Sequence, residues 1–282
     1  MPGDMPGPVK AVFADAKPDG ADITSIQTIN FLAATYQACT YLQLGVGHGR
    51  IFFNIHMPHK VGVDPAFCFE ENTFSGEGRW FFREHADSFF ARLKENAAIL
   101  PAVFNGASGR AAFDIMFISG LLAFEQSFRD FQNSLPFAHE NTIWLLDNTV
   151  PSPPFAKPPD QDASCSMASG AWRGDAFKTI FAIHDVYPEF SYCTLMRANP
   201  QTIIWRTEPS TRKQAFASLE AIAQLDYFAM LRHGVLLMPV EEPMMPHLLG
   251  LILDPGAYGE TKAWEKCKRR IASIFSKPPK RS

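Results

Sequence analysis

YLQLGVGHGR, residues 41–50, holds the change of pattern that decides the fold. Its apolar start, Tyr41 to Leu44, runs straight into glycines at 45, 47 and 49. A short apolar run that stops in glycine reads as a buried strand leaving through a tight turn, because glycine takes backbone conformations closed to other residues. KVGVDP (60–65) repeats the pattern and is stopped by Asp64-Pro65. Working outward, GRWFFRE (78–84), FDIMFIS (113–119) and TIWLLDN (142–148) read as third, fourth and fifth strands. FDIMFIS is apolar on both alternating faces, as a strand covered on both sides should be.

Helical spacing fills the intervals. Thr24 to Gln37 carries Ile26, Ile29, Ala33 and Tyr36 on one face, and Ser88 to Leu100 carries Phe89, Leu93, Ala97 and Leu100. The clearest helix places Phe124, Phe128, Phe131 and Leu135 on one side, with Glu125 and Arg129 spaced as an ion pair on the other. A further helix is expected from Asp175 to Val186. SYCTLM (191–196) and QTIIWRT (201–207) then read as a closing hairpin. Strands alternating with helices demand an α/β fold with a mostly parallel sheet covered on both faces. Residues 1–20, rich in Pro, Gly and Asp, read as a loose lead-in, 21–207 as the domain, and 208–282 as a strandless helical appendage. Residues 151–170, with five prolines, are too long for an ordinary connection and read as a lid over the sheet edge.

The composition excludes several classes. A chain of 282 residues that is 46% hydrophobic can bury a large core, which rules out a disordered, collagen-like or disulfide-scaffold protein. No apolar run is long enough to span a bilayer, and MPGDMPGPVK has no apolar signal core. Five scattered cysteines, with no CxxC pair, suggest a reducing compartment rather than a disulfide framework, so a cytoplasmic location is expected. The last 22 residues carry eight basic groups against Glu265, a tail suited to weak contact with an anionic surface. Basic and aromatic residues are not interleaved as a nucleic-acid groove would need, so no nucleic-acid partner is expected. His56 and His59 flank Met57-Pro58, and the proline breaks any helical zinc pair.

Candidate chemistry gathers at the strand ends. Gly45, Gly47 and Gly49 would let the backbone approach a ligand at the carboxyl edge of the sheet, or else serve only the tight turn. Asp64 ends the second strand nineteen residues after Gly45, where an acid can accept ribose hydroxyls. The spacing is GxGxG rather than GxGxxG, which disfavours a nicotinamide oxidoreductase. Asp147, at the end of the fifth strand, is the best candidate for a general base.

YLQLGVGHG, VGVDP, HADSFF (85–90), FDIMFISGLLAFEQSFRD (113–130) and GAWRGDAFK (170–178) together resemble a class I S-adenosylmethionine-dependent methyltransferase, within it the bacterial group related to macrocin-type O-methyltransferases. The resemblance covers roughly residues 30–207. It implies a Rossmann-like methyltransferase fold with a mostly parallel seven-stranded sheet, an antiparallel closing strand and S-adenosylmethionine as cofactor. It implies that Gly45, Gly47 and Gly49 line the methionine end, with Gln43 where the family has an acid. Asp64 would then hold the ribose, and Asp87 and Ser88 would sit near the adenine. Trp172, Asp175 and Lys178 would shape the pocket of a small-molecule or glycan acceptor. Ser119 stands where cation-dependent relatives carry a carboxylate, so no metal site is expected at Asp147-Asn148. Gln43, Ser119, Leu122 and Asn148 also support a second class, a catalytically degenerate methyltransferase-like binding protein.

Overall fold

A computed structural model describes residues 20–106, 109–121, 123–151, 174–196 and 199–240. Helix α1 (Gly20–Tyr36) leads into β1 (Thr40–Leu44), the one-turn helix α2 (Arg50–Phe53) and β2 (His59–Val63). A second single turn, α3 (Glu71–Phe74), precedes β3 (Arg79–Phe82), α4 (Ala86–Glu95) and β4 (Phe113–Ile118). Then come α5 (Phe124–Ser134), β5 (Ala138–Leu146), α6 (Phe177–Val186), β6 (Phe190–Leu195) and β7 (Gln201–Arg206). Two short helices, α7 (Leu219–Ala223) and α8 (Tyr227–Arg232), precede β8 (Pro239–Val240).

The sheet order is β3-β2-β1-β4-β5-β7-β6-β8. Strands β1 to β5 are mutually parallel, and β7 is antiparallel to both β5 and β6. Alternation along each strand feeds two cores. Leu42, Leu44, Val61, Trp144 and Leu146 meet Phe89, Phe128, Phe131, Ile180 and Phe181 on one face. Tyr41, Ile115, Phe117, Ile143 and Leu145 meet Ile29, Leu32 and Phe52 on the other. Each fully buried apolar side chain contributes about 1.5–3 kcal/mol by leaving water, so three layers are held chiefly by these two apolar seams. Polar atoms in the seams are matched, as where Trp144 Nε1 donates to Ser134 Oγ at 2.8 Å. This is a three-layer α/β Rossmann-like fold with a mostly parallel eight-stranded sheet and the switch point between β1 and β4.

The amino edge is stapled by Asp114. Its Oδ2 accepts from Cys39 N, Thr40 N and Thr40 Oγ1, and Oδ1 meets His139 Nε2 at 2.9 Å. Burial pushes this carboxyl up, but the bonds from His139, Cys39 and Thr40 outweigh it and hold the group at about 2.

The structure corrects several expectations. The appendage is not strandless, because β8 adds an eighth strand parallel to β6. The helices after β1 and β2 are single turns. Arg129 turns away from Glu125: its Nε lies 3.1 Å from Asp87 Oδ2, and its guanidinium also donates to Gln126. Cys68 is disulfide-bonded, against the reading of scattered reduced thiols. Most of the Pro-rich stretch, Trp172, Leu122 and the basic tail lie outside the described residues. Among the described residues no helix is long and apolar enough to cross a membrane.

Candidate functional site

The turn after β1 is left-handed at all three glycines, with φ of +81° at Gly45, +52° at Gly47 and +76° at Gly49. Their surroundings differ. A Cβ on Gly45 would lie 2.4 Å from Gly120 Cα, so the turns after β1 and β4 pack backbone against backbone. A Cβ on Gly49 would strike the Phe53 ring at 2.3 Å, whereas one on Gly47 would meet nothing within 4 Å. Two of the glycines are therefore explained by packing, and only Gly47 faces open space.

Gln43 and Ser119 converge on this turn. Gln43 Nε2 donates to the Gly45 carbonyl at 2.9 Å, and Ser119 Oγ donates to the same oxygen at 2.8 Å. Gln43 Oε1 accepts from Tyr41 Oη at 3.0 Å. A carbonyl has two lone pairs, so the Gly45 oxygen is filled from within the protein. Asp64 is buried just past β2. Its Oδ2 accepts from Val46 N at 2.7 Å and Gly47 N at 2.8 Å, and Oδ1 accepts from Ala66 N at 2.7 Å. The carboxylate thus anchors the glycine turn, while Oδ1 keeps acceptor capacity for a further donor.

Asp147 follows β5 directly, and its N–H donates to Ile118 O at 3.0 Å, keeping it level with the end of β4. Oδ1 accepts from Asn199 Nδ2 at 2.7 Å and from Gln201 Nε2 at 2.9 Å. Burial is the largest influence on this carboxyl and pushes it up to about 6. The bonds from Gln201, Asn199 and the Asn148 backbone pull down, and the Asp22 charge pushes up. Asn148 sits at φ +50°, a left-handed turn that Asn tolerates better than most residues. A buried hydroxyl chain holds the turn: Thr149 N donates to Pro200 O, Thr202 Oγ1 to Thr149 Oγ1, and Thr194 bonds Thr202 at 2.7 Å.

The remaining expected residues go elsewhere. Asp87 is engaged across the α4–α5 seam by Asn133 Nδ2 at 2.9 Å and by Arg129, and Ser88 is exposed on α4. Asp175 Oδ1 accepts from Phe124 N at 2.7 Å and so caps α5, not its own helix. Its Oδ2 accepts from Lys178 Nζ at 2.7 Å, and the same ammonium donates to Ala223 O at 2.7 Å. Lys178 is only 5% exposed, and this pair ties α5, α6 and α7 together.

Sequence reading missed Asp22, Ser25, Arg50, Asn199 and Gln201. Gln201 Nε2 donates to Ser25 Oγ at 2.7 Å, and Arg50 lies 3.7 Å from Asp22 beside the glycine turn. Only the Asn199-Pro200-Gln201 turn could have drawn attention to any of them. Among the described residues no group of three or more His, Cys, Asp or Glu is placed to hold a metal ion.

The fit to an adenosyl cofactor is uneven. Asp64 Oδ1 can accept from a ribose hydroxyl, and the open side of Gly47 leaves room. At the expected methionine end, Gln43 Nε2 and Ser119 Oγ already donate to the Gly45 carbonyl rather than facing outward as free donors.

No family model matches the chain, and no curated protein matches it either. Among solved structures it is similar to the O-methyltransferase from Bacillus cereus in complex with SAH, at 12% identity and a TM-score of 0.44, over 70% of this chain and 96% of that one. It is similar also to the SAH-bound methyltransferase PaMTH1 from Podospora anserina, at 12% identity and a TM-score of 0.44, over 74% of this chain and all of that one.

Proposed function

We propose that the chain is an S-adenosylmethionine-dependent methyltransferase of the macrocin-related type that methylates oxygen on a small molecule or glycan, with Asp147 as general base. One observation carries the proposal: a half-buried carboxyl, held near pH 6, stands at the carboxyl end of β5 beside the β1–β4 switch point. A base poised there is ionised at neutral pH yet basic enough to take a proton from an acceptor hydroxyl in the transition state. When bound, the cofactor would supply an electrophilic methyl group. Asp64 and the Gly47 side of the turn would hold its nucleoside half. Asn199 and Gln201 orient the Asp147 carboxylate, which accepts the acceptor's proton as its oxygen is methylated.

The degenerate binding reading has its own support. Gln43 and Ser119 already fill the Gly45 carbonyl, and Asp64 already accepts three backbone N–H groups. Incubation with a methyl-labelled donor and a panel of sugars and phenols separates the two. Transfer that Asp147→Asn abolishes supports the enzyme; donor binding without transfer to any acceptor supports the binding protein.

A further inference from the structure

We propose that Gln201 is a positioning residue for Asp147, coupling the carboxylate to the N-terminal helix α1 through Ser25. Gln201 opens β7, directly after the hairpin turn, and is fully buried. Its amide nitrogen has two hydrogens, one directed at Asp147 Oδ1 (2.9 Å) and one at Ser25 Oγ (2.7 Å). With both hydrogens committed the amide cannot turn over, since turning would present Gln201 Oε1 to a carboxylate oxygen. Gln201 Oε1 is itself buried and unpartnered, so this orientation is kept despite the cost of an unmet acceptor. Asn199 Nδ2 meets the same Oδ1 at 2.7 Å. Both side-chain donors thus converge on one oxygen, Oδ1.

The groups facing this carboxylate come from four elements. Asp22 approaches from α1 and is paired with Arg50 of α2, while Tyr41 faces it from β1 and Gln201 from β7. Asp22 disfavours the ionised form of Asp147, and Gln201 favours it. Ser25 lies one turn along α1 from Asp22, so the helix that brings the opposing charge also anchors the amide that offsets it.

The inference rests on the reading of Asp147 as the base, but its test does not. The midpoint of Asp147 is followed by carbon-detected nuclear magnetic resonance in the wild type, Gln201→Met and Ser25→Ala. Removing a donor from a carboxylate disfavours its charged form, so Gln201→Met should raise the midpoint by about one unit. Ser25→Ala, which only loosens the amide, should shift it the same way by less. If Gln201→Met does not fold, the Ser25→Ala shift decides. An unmoved midpoint in the folded variants overturns the positioning role. A midpoint that moves as expected, while Asp147→Asn leaves methyl transfer intact, keeps the positioning role and removes the base.

Discussion

Replacing Asp64 by alanine removes one charged acceptor from three backbone N–H groups at once. The three are not equivalent. Val46 is buried, so its N–H finds no water and loses the whole bond, about 1.5–3 kcal/mol for a partner that is charged. Gly47 is half-buried and recovers part of its loss from solvent, leaving about 0.5–1.5 kcal/mol. Ala66 is exposed and should lose almost nothing. Asp64→Ala is therefore expected to destabilise the fold by about 2–4 kcal/mol, read from urea unfolding followed by circular dichroism. Asp64→Asn should be nearly as harmful, since an amide NH₂ set against Val46 and Gly47 would oppose two donors. A loss below about 0.5 kcal/mol in the alanine variant would show that the turn is not held by this carboxylate.

Further outcomes follow from the same geometry. Gly45→Ala should yield insoluble or severely destabilised protein, because its Cβ meets Gly120 backbone at 2.4 Å, whereas Gly47→Ala has open space and should lose about 1–3 kcal/mol of stability through its left-handed φ; equal melting temperatures for the two would contradict this. Asp130, 2% exposed on α5, is pushed up to about 6 by burial, with Gln126 pulling down. Its native form binds a proton more tightly than the unfolded chain, so its contribution is fully present below about pH 4 and is lost as pH rises through about 6. Asp130→Asn should accordingly gain about 1–3 kcal/mol in urea unfolding at pH 8 and little at pH 4. Asp114 runs the other way: its folded value of about 2 gives stability that is present above about pH 4 and lost as the medium is acidified, so Asp114→Asn should cost about 2 kcal/mol at pH 7. If Asp147 is the base, methyl transfer should fall as pH drops through about 6, reported by a pH–rate profile.

Much of the fold was legible because its signals are local. Alternating apolar residues along FDIMFIS and the spacing of Phe124, Phe128 and Phe131 depend on a few neighbours, and both sit in the cores as read. The closing hairpin was equally local. Asp147 was visible because a strand end is marked by the polarity change at Asp147-Asn148. The illegible parts depend on long-range pairing. Ser25 and Gln201 are 176 residues apart, and no spacing rule joins them; only the packing of α1 over the sheet does. Asp175 caps a helix that begins 51 residues upstream, a pairing that its place in the sequence just before α6 does not reveal. A two-residue strand such as β8 carries no period at all. The glycines were ambiguous for a different reason: close approach of protein backbone and close approach of a ligand select the same residue.

The central claim, that the carboxyl edge at Gly47 and Asp64 takes an adenosyl cofactor, is tested most directly by titrating S-adenosylhomocysteine into the full chain in a calorimeter. Saturable one-to-one binding, weakened in a folded Asp64→Asn variant, is the expected result. The absence of saturable heat in the wild type, at concentrations well above those of known cofactor sites, would contradict it.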